Sequence, residues 1–482
     1  MNQESIRSPS PTGWDGTPPR RHRSGNSPTA RWFLALAGLV AMPAIGRAVP
    51  SFARQTGLQC IACHTEFPIL TSFGHQFKLN GYTLSTWQTD LPPLAVMLQP
   101  SFTRTEKAQP GGAAPQFADN NNWALTQASL FYSGRLFGPY ATSLLGSDAA
   151  AVVNKIGIFF QTTYDGVAKS WSWDNAEVRF ADTAHVSGQD VSYGVYLNNN
   201  PTMQDLWNST PAWGFPFSGS GLAPAPAAAT LIDGGLSQQV AGLGTYVMIA
   251  NSLYLDFGGY RSLGPGFQKS VGVDPGGETQ IAGLAPYWRL AWERPVGANG
   301  RWEIGTLGLA AGTYPGRDSS QGRDRIVDVG FDSEFQNSFG RHDLTALFSW
   351  IHEQQNWSAS QALGLTGNAS ATLWNFKASA DYLYDKTYGV AVQYFSIGGD
   401  HDALVYSDSQ TGSPQSDGVI LQLNYMPLNK GGGPSFWPKS NVKFSLQYTF
   451  YNRFDGARTN YDGLGRNARD NNTAYLEAWI VF

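Results

Sequence analysis

The stretch Val442-Lys443-Phe444-Ser445-Leu446-Gln447-Tyr448-Thr449-Phe450 decides how the rest of the chain is read. Large apolar side chains alternate strictly with polar ones, the period-2 pattern of a strand that shows one face to an apolar medium and the other to a polar one. The same pattern recurs. Trp374, Phe376 and Ala378 alternate with Asn375, Lys377 and Ser379; Trp288, Leu290 and Trp292 alternate with Arg289 and Glu293; Val327, Val329 and Phe331 alternate with Asp328 and Asp332; Ala176, Val178 and Phe180 alternate with Asn175, Glu177 and Arg179. Segments of about ten residues suit a tilted strand crossing a bilayer, with a lipid face and a wet lumen.

Working outward, about sixteen such segments begin near residues 94, 123, 155, 172, 190, 237, 251, 284, 301, 324, 342, 371, 386, 417, 441 and 473, an even number as in bacterial barrels. Residues 137–154 and 183–190 fit the pattern poorly. Long connections follow the fifth, seventh, eleventh, thirteenth and fifteenth segments. Ile249–Ser252, Asp385-Lys386 and Asn337–Arg341 are short. The last stretch, Ala474 to Phe482, alternates and stops on an aromatic residue, similar to the C-terminal signal of outer-membrane barrels. The expectation is an all-β transmembrane antiparallel barrel over residues 94–482.

Composition agrees. With 54 Gly, 16 Trp, 21 Tyr and 27 Phe but only 14% charged residues, the chain is aromatic-rich and weakly charged. Its net charge is −4 and it has no basic block, which argues against nucleic acid as a partner. No repeat of blade-like period supports a propeller. Residues 1–48 read as a signal peptide with a polar extension: Arg31 precedes the apolar run Trp32 to Ile45, which is short for a membrane helix, and Gly46-Arg47-Ala48 ends on a small residue.

Residues 49–93 carry the chemistry. Cys60-Ile61-Ala62-Cys63-His64 contains the only two cysteines of the chain, and C-x-x-C-H is the attachment string of c-type haem. Two thiols add to the haem vinyl groups and the next imidazole binds the iron. A disulfide across two residues would be strained and would not need His64. A zinc site would want further ligands, and only His75 is close. The segment is too short for an ordinary free-standing core, so it is expected to be a helical plug with the barrel as its walls. Pro68 suits the first turn of a helix, with Ile69, Leu70, Phe73 and Phe77 on one face. Cys60 and Cys63 are the attachment residues and His64 the proximal ligand. The distal candidates are Met97, on the polar face of the first strand, and His75. Met426 or a water stays open.

Pro50-Ser51-Phe52-Ala53-Arg54-Gln55-Thr56-Gly57, running directly into Leu58-Gln59-Cys60, resembles the leader of the fused monohaem cytochrome–porins of the outer membrane, the iron-oxidase type. The resemblance implies one covalent haem c plugging a porin in the outer membrane, with lipid around it. Fe(II) or another extracellular donor would supply electrons, and a periplasmic cytochrome or copper protein would accept them. Arg54, Gln55, Thr56, Phe73 and Phe77 would surround the haem. Asp328, Asp332 and Glu334, on lumen faces, are the candidate approach for Fe(II), since hard oxygen ligands suit that cation. The same architecture could serve another donor, run in the opposite direction, or be a haem-plugged diffusion porin.

Overall fold

The computed structural model describes residues 51–84, 92–274 and 280–482. The expected export signal in residues 1–48 lies outside the described residues. All described residues belong to one unit running from Ala48 to Phe482.

Sixteen antiparallel strands form the wall. They are β1 (Leu94–Thr105), β2 (Asn122–Arg135), β3 (Ile156–Asp165), β4 (Ser170–Val186), β5 (Gln189–Asn198), β6 (Val240–Ile249), β7 (Leu253–Ser262), β8 (Ala285–Val296), β9 (Gly300–Tyr314), β10 (Asp324–Phe339), β11 (His342–Asn356), β12 (Ser370–Tyr384), β13 (Tyr388–Gly399), β14 (Ser416–Tyr425), β15 (Asn441–Arg453) and β16 (Thr473–Val481). Gln280–Ile281 adds a two-residue ladder beside the end of β9. Each strand pairs with its sequence neighbours, and β16 returns to β1, with Met97 opposite Val481 and Thr105 opposite Thr473. The sheet is therefore a closed barrel with no free edge, the one β architecture that satisfies every backbone group in lipid. This is the fold of the outer-membrane porin-like barrels.

The alternation read from the sequence sets the two faces. On the outside, Leu243, Phe257, Leu290, Phe331, Val390, Leu423 and Leu446 are exposed. On the inside, Arg179, Arg289, Glu303, Lys443 and Glu477 are buried. Apolar outside and polar inside is the distribution a lipid solvent demands. One end carries tight turns. Ser187-Gly188 and Asp385-Lys386 both have positive φ, the backbone of two-residue hairpin turns whose twist matches the flanking strands. The other end carries the long connections, including 106–121, 199–239 and 454–472.

The two stretches that resist alternation have separate explanations. Residues 136–155 are helical at the short-turn end, with helices over Ala141–Leu145 and Ser147–Val153. Residues 183–190 are an ordinary hairpin tip whose strands extend further than the pattern suggests. The turn expected at Asn337–Arg341 narrows to Gly340 and Arg341, because the ladder continues through Phe339 opposite His342.

The wet lumen expected from the inward charges is not open. Residues 51–84 enter it from the short-turn end, and the connection 199–239 folds into it from the other. Leu231, Ile232 and Leu236 of that connection pack on inward Val240, Tyr260, Tyr287, Leu307, Ile326 and Ile351. Asp233 binds Lys377, with Nζ–Oδ2 2.7 Å. The inward charges therefore face protein partners, which explains their burial.

Candidate functional site

The plug begins with α1 (Ser51–Thr56), fixed to the rim of the barrel. Ser51 Oγ and Gln55 Nε2 both donate to the carbonyl of Ser133, at 2.5 and 2.8 Å. Neighbouring Gly134 makes room, since a Cβ there would lie 2.2 Å from Gln55 Oε1. Arg54 Nη2 donates to the carbonyls of Pro92 (3.2 Å) and Leu94, tying α1 to the start of β1. Thr56 Oγ1 donates to Phe52 O at 2.8 Å. The structure thus places Arg54 and Gln55 as anchors of the plug to carbonyls of the wall, while the Thr56 hydroxyl bonds within α1 itself.

Next comes α2 (Cys60–Cys63), a single turn closed by His64 N donating to Cys60 O at 2.9 Å. Both thiols are free of a disulfide. Lys439 Nζ holds the approach by donating to Gly57 O (2.6 Å) and Leu58 O (3.2 Å). After His64 the chain turns. The Thr65 N donates to Ile69 O at 3.1 Å and Thr71 N to Cys63 O at 2.8 Å. Then α3 (Ser72–Leu79) starts, with Thr71 as its cap, accepting from Gly74 N. Pro68 is therefore not a first-turn helix residue as the sequence suggested. Its carbonyl is engaged in the turn, and Thr71 supplies the capping oxygen that Pro68 lacks. Gly74 lets α3 lie directly on the Cys turn, for a Cβ there would be 2.3 Å from Cys63 O.

His64 has one nitrogen committed. Its Nδ1 lies 3.2 Å from Pro68 O, and a carbonyl can only accept, so in the neutral ring the proton is on Nδ1; the Ile69 backbone is a second hydrogen-bonding neighbour of the ring. Burial holds the imidazole down to about 4, which keeps it neutral at physiological pH. Burial pushes Cys63 up to about 12 and also raises Cys60. Phe77 is buried against Phe52, with ring centroids 4.9 Å apart, while Phe73 and Leu58 are about two-fifths exposed. Two free thiols on one helical turn, an adjacent neutral imidazole oriented through Nδ1, and exposed apolar side chains on the same plug fit a covalently held haem. Cys60 and Cys63 would hold it and His64 would ligate it.

Of the distal candidates, Met97 is buried on the lumen face of β1, as the alternation predicts. Met426 is buried against Phe67 and Leu383. His75 is tied into the barrel wall. Its Nε2 accepts from Arg301 Nη2 at 2.8 Å, its Nδ1 is 3.8 Å from Glu293, and its ring lies edge-on to Trp207. Burial, then the charge of Arg301, hold it down to about 3.

Asp328, Asp332 and Glu334 share the inward face of β10, but each has its own protein partner. Asp328 accepts from Ile232 N at 2.8 Å. Asp332 accepts from Arg289 Nη2 at 2.7 Å and from Ser209 Oγ at 2.6 Å. Glu334 binds Arg301 Nε at 3.3 Å. All three are buried, under the connection 199–239 and the plug. Among the described residues no group of three or more His, Cys, Asp or Glu side chains is arranged to hold a metal ion.

Sequence reasoning missed the residues that lock the plug. Glu66 accepts from Asn424 Nδ2 at 2.7 Å and lies 3.4 Å from Lys443 Nζ, which also donates to Phe67 O at 2.8 Å. On the opposite side Lys78 Nζ donates to Asp205 O and stands 4.5 Å from the Trp213 ring. Arg289 joins Asp205, Glu303 and Asp332 within 3.2 Å. The available signal was the connection 199–239 itself: forty-one residues whose only charges are Asp205 and Asp233 make an unusually apolar outer loop.

No protein-family model matches the chain, and neither does any curated protein sequence. Among solved structures it is similar to an anion-selective porin from Comamonas acidovorans, at 11% identity and a TM-score of 0.42, covering 80% of this chain and 98% of that one. It is also similar to OprB of Pseudomonas putida, at 10% identity and a TM-score of 0.43, covering 81% and 93%. The outer membrane channel DcaP of Acinetobacter baumannii gives 9% identity and a TM-score of 0.41, covering 81% and 96%. The barrel itself stands on its own strand pairing.

Proposed function

We propose that this chain is an outer-membrane electron conduit: a porin-like barrel closed by a plug that carries one covalent haem c. Electrons would come from Fe(II) or another extracellular donor and leave to a periplasmic cytochrome or copper protein. The observation that carries the reading is the Cys60–His64 turn, anchored inside the short-turn end of the barrel beside Asn441 and Lys439. When bound, the haem supplies a one-electron carrier. The chain does the rest. Cys60 and Cys63 would attach the haem and His64 would ligate it, with Pro68 O orienting the ring and Phe52 and Phe77 packed on each other within the plug. Met97, His75 and Met426 stay the candidates for the sixth position. The plug and the connection 199–239 fill the lumen, so an extracellular donor would have to approach a filled barrel.

A second reading, a diffusion porin in which the haem plug is a stopper, is favoured by the fold class, which is that of a channel. The lumen-filling Asp205, Ser209, Phe215 and Leu231 weigh against free passage. Anaerobic mixing of the purified haem protein with Fe(II), followed by haem absorbance, tests the conduit directly, and ion conductance in liposomes tests the pore. Reduction without conductance supports the conduit. Conductance without reduction at acid or neutral pH sinks it and leaves the channel.

A further inference from the structure

Two donors meet at one carbonyl beside the His64 ring. His64 Nδ1 lies 3.2 Å from Pro68 O, and Asn208 Nδ2 donates to the same oxygen at 3.1 Å. Asn208 comes from the connection 199–239, the chain that descends into the lumen from the long-loop end. We propose that Asn208 is a positioning residue that sets the electron-donor strength of His64 by sharing the Pro68 carbonyl.

The amide is held for this contact from every side. Asp205 caps the local turn, accepting from Trp207 N (3.1 Å), Ser209 N (3.1 Å), and Thr210 N and Oγ1 (3.2 and 2.9 Å). Trp207 Nε1 donates to Glu293, and Ser209 Oγ donates to Asp332 at 2.6 Å, so both neighbours of Asn208 are pinned to the wall. Asn208 itself sits at φ +59°, in the left-handed region that Asn tolerates better than other side-chain-bearing residues, and it is buried. The receiving turn is equally fixed. Leu70 O, two residues beyond Pro68, accepts from Arg301 and Gln336 at 3.0 and 2.9 Å.

The physical consequence follows from the carbonyl. It has two lone pairs, and a hydrogen bond to one withdraws density from the other. With Asn208 present, Pro68 O pulls less on the Nδ1 proton. The imidazole is then less imidazolate-like and a weaker donor through Nε2. Second-shell hydrogen bonding of this kind is a recognised lever on the potential of a ligated iron. A loop on the outer side of the barrel thereby reaches the ligand of the redox group.

This inference rests on the haem reading above. The test is an equilibrium redox titration of the purified haem protein and of Asn208→Leu, Asn208→Ala and Ser218→Ala, with haem content measured on each. Removing the amide is expected to strengthen the His64–Pro68 bond and stabilise the oxidised state. The oxidised-to-reduced ratio at a fixed solution potential should rise roughly three- to tenfold, a tenfold change being about 59 mV for one electron. Ser218→Ala removes a wall contact of the same connection, Ser218 Oγ to Glu477 at 2.6 Å, that takes no part in holding Asn208, so its ratio should stay at the parent value. Unchanged ratios in both Asn208 variants, a shift of opposite sign, or an equal shift in Ser218→Ala overturns the assignment while leaving haem attachment intact. Absence of covalent haem from the parent protein overturns the functional reading, and this assignment with it.

Discussion

Lys443→Met is the perturbation with the largest consequence that can be worked from contacts. The Lys443 ammonium is buried, donates to Phe67 O, lies beside Glu66, and stands 4.9 Å from the Trp479 ring. Methionine keeps much of the stem and removes the charge. Glu66, also buried, then keeps only Asn424 as a partner, and its other oxygen has none to begin with. Breaking one side of a buried ion pair costs about 3–5 kcal/mol, because the remaining charge is left in a poorly polarisable site. Since Glu66 belongs to the plug and Lys443 to the wall, the cost falls on plug docking. The ratio of docked to released plug should drop roughly a hundredfold to a few thousandfold. Urea titration with bilayer conductance as the readout of release measures it, and Lys443→Met should release at clearly lower urea. The double variant Lys443→Met, Glu66→Gln removes the orphaned charge and keeps the Asn424 contact, so it should recover at least about 2 kcal/mol. A single variant as tightly docked as the parent, or a double variant no better than the single, would refute the reasoning.

Gly74→Ala should press a methyl group onto Cys63 O, 2.3 Å away, at a cost of about 1–3 kcal/mol, and lower the yield of covalent haem seen in the alkaline pyridine spectrum. Burial holds Lys78 down to about 7, against an ordinary lysine value of 10.5. A released plug therefore binds a proton that the docked one does not between those values. Docking should strengthen as pH rises from 7 towards 10.5, by up to about 1.4 kcal/mol per pH unit, and be flat below 7; Lys78→Met should abolish the slope in the same urea assay. Arg289→Met leaves Asp205, Glu303 and Asp332 without their shared guanidinium, so the connection 199–239 should loosen and single-channel conductance should rise above that of the parent.

The wall was legible because lipid imposes period-2 alternation on every strand, and each observed strand begins within three residues of its expected position, from Leu94 to Thr473. Alternation also placed Met97, Asp328, Asp332 and Glu334 on the inner face. What it could not supply was who meets whom across the lumen. Arg289 and Asp205 are joined by closure of the barrel around an inserted loop, and nothing local to either residue encodes that. The expected solvent-facing acidic cluster became three separate paired carboxylates for the same reason. The plug read less well than the wall, since its hydrogen bonds run to distant carbonyls such as Ser133 O and Pro92 O rather than along a regular element. Within the plug only the mutual placement of Cys60, Cys63 and His64 was legible, because they lie within five residues and one helical turn sets their relation.

The measurement that bears most directly on the central claim is the haem stoichiometry of the folded barrel. Protein isolated from the outer membrane of cells able to mature c-type cytochromes should give one covalent haem per chain in the alkaline pyridine spectrum, retained after denaturing electrophoresis and lost in Cys60→Ser, Cys63→Ser. A correctly folded barrel that carries no covalent haem under those conditions would contradict the account.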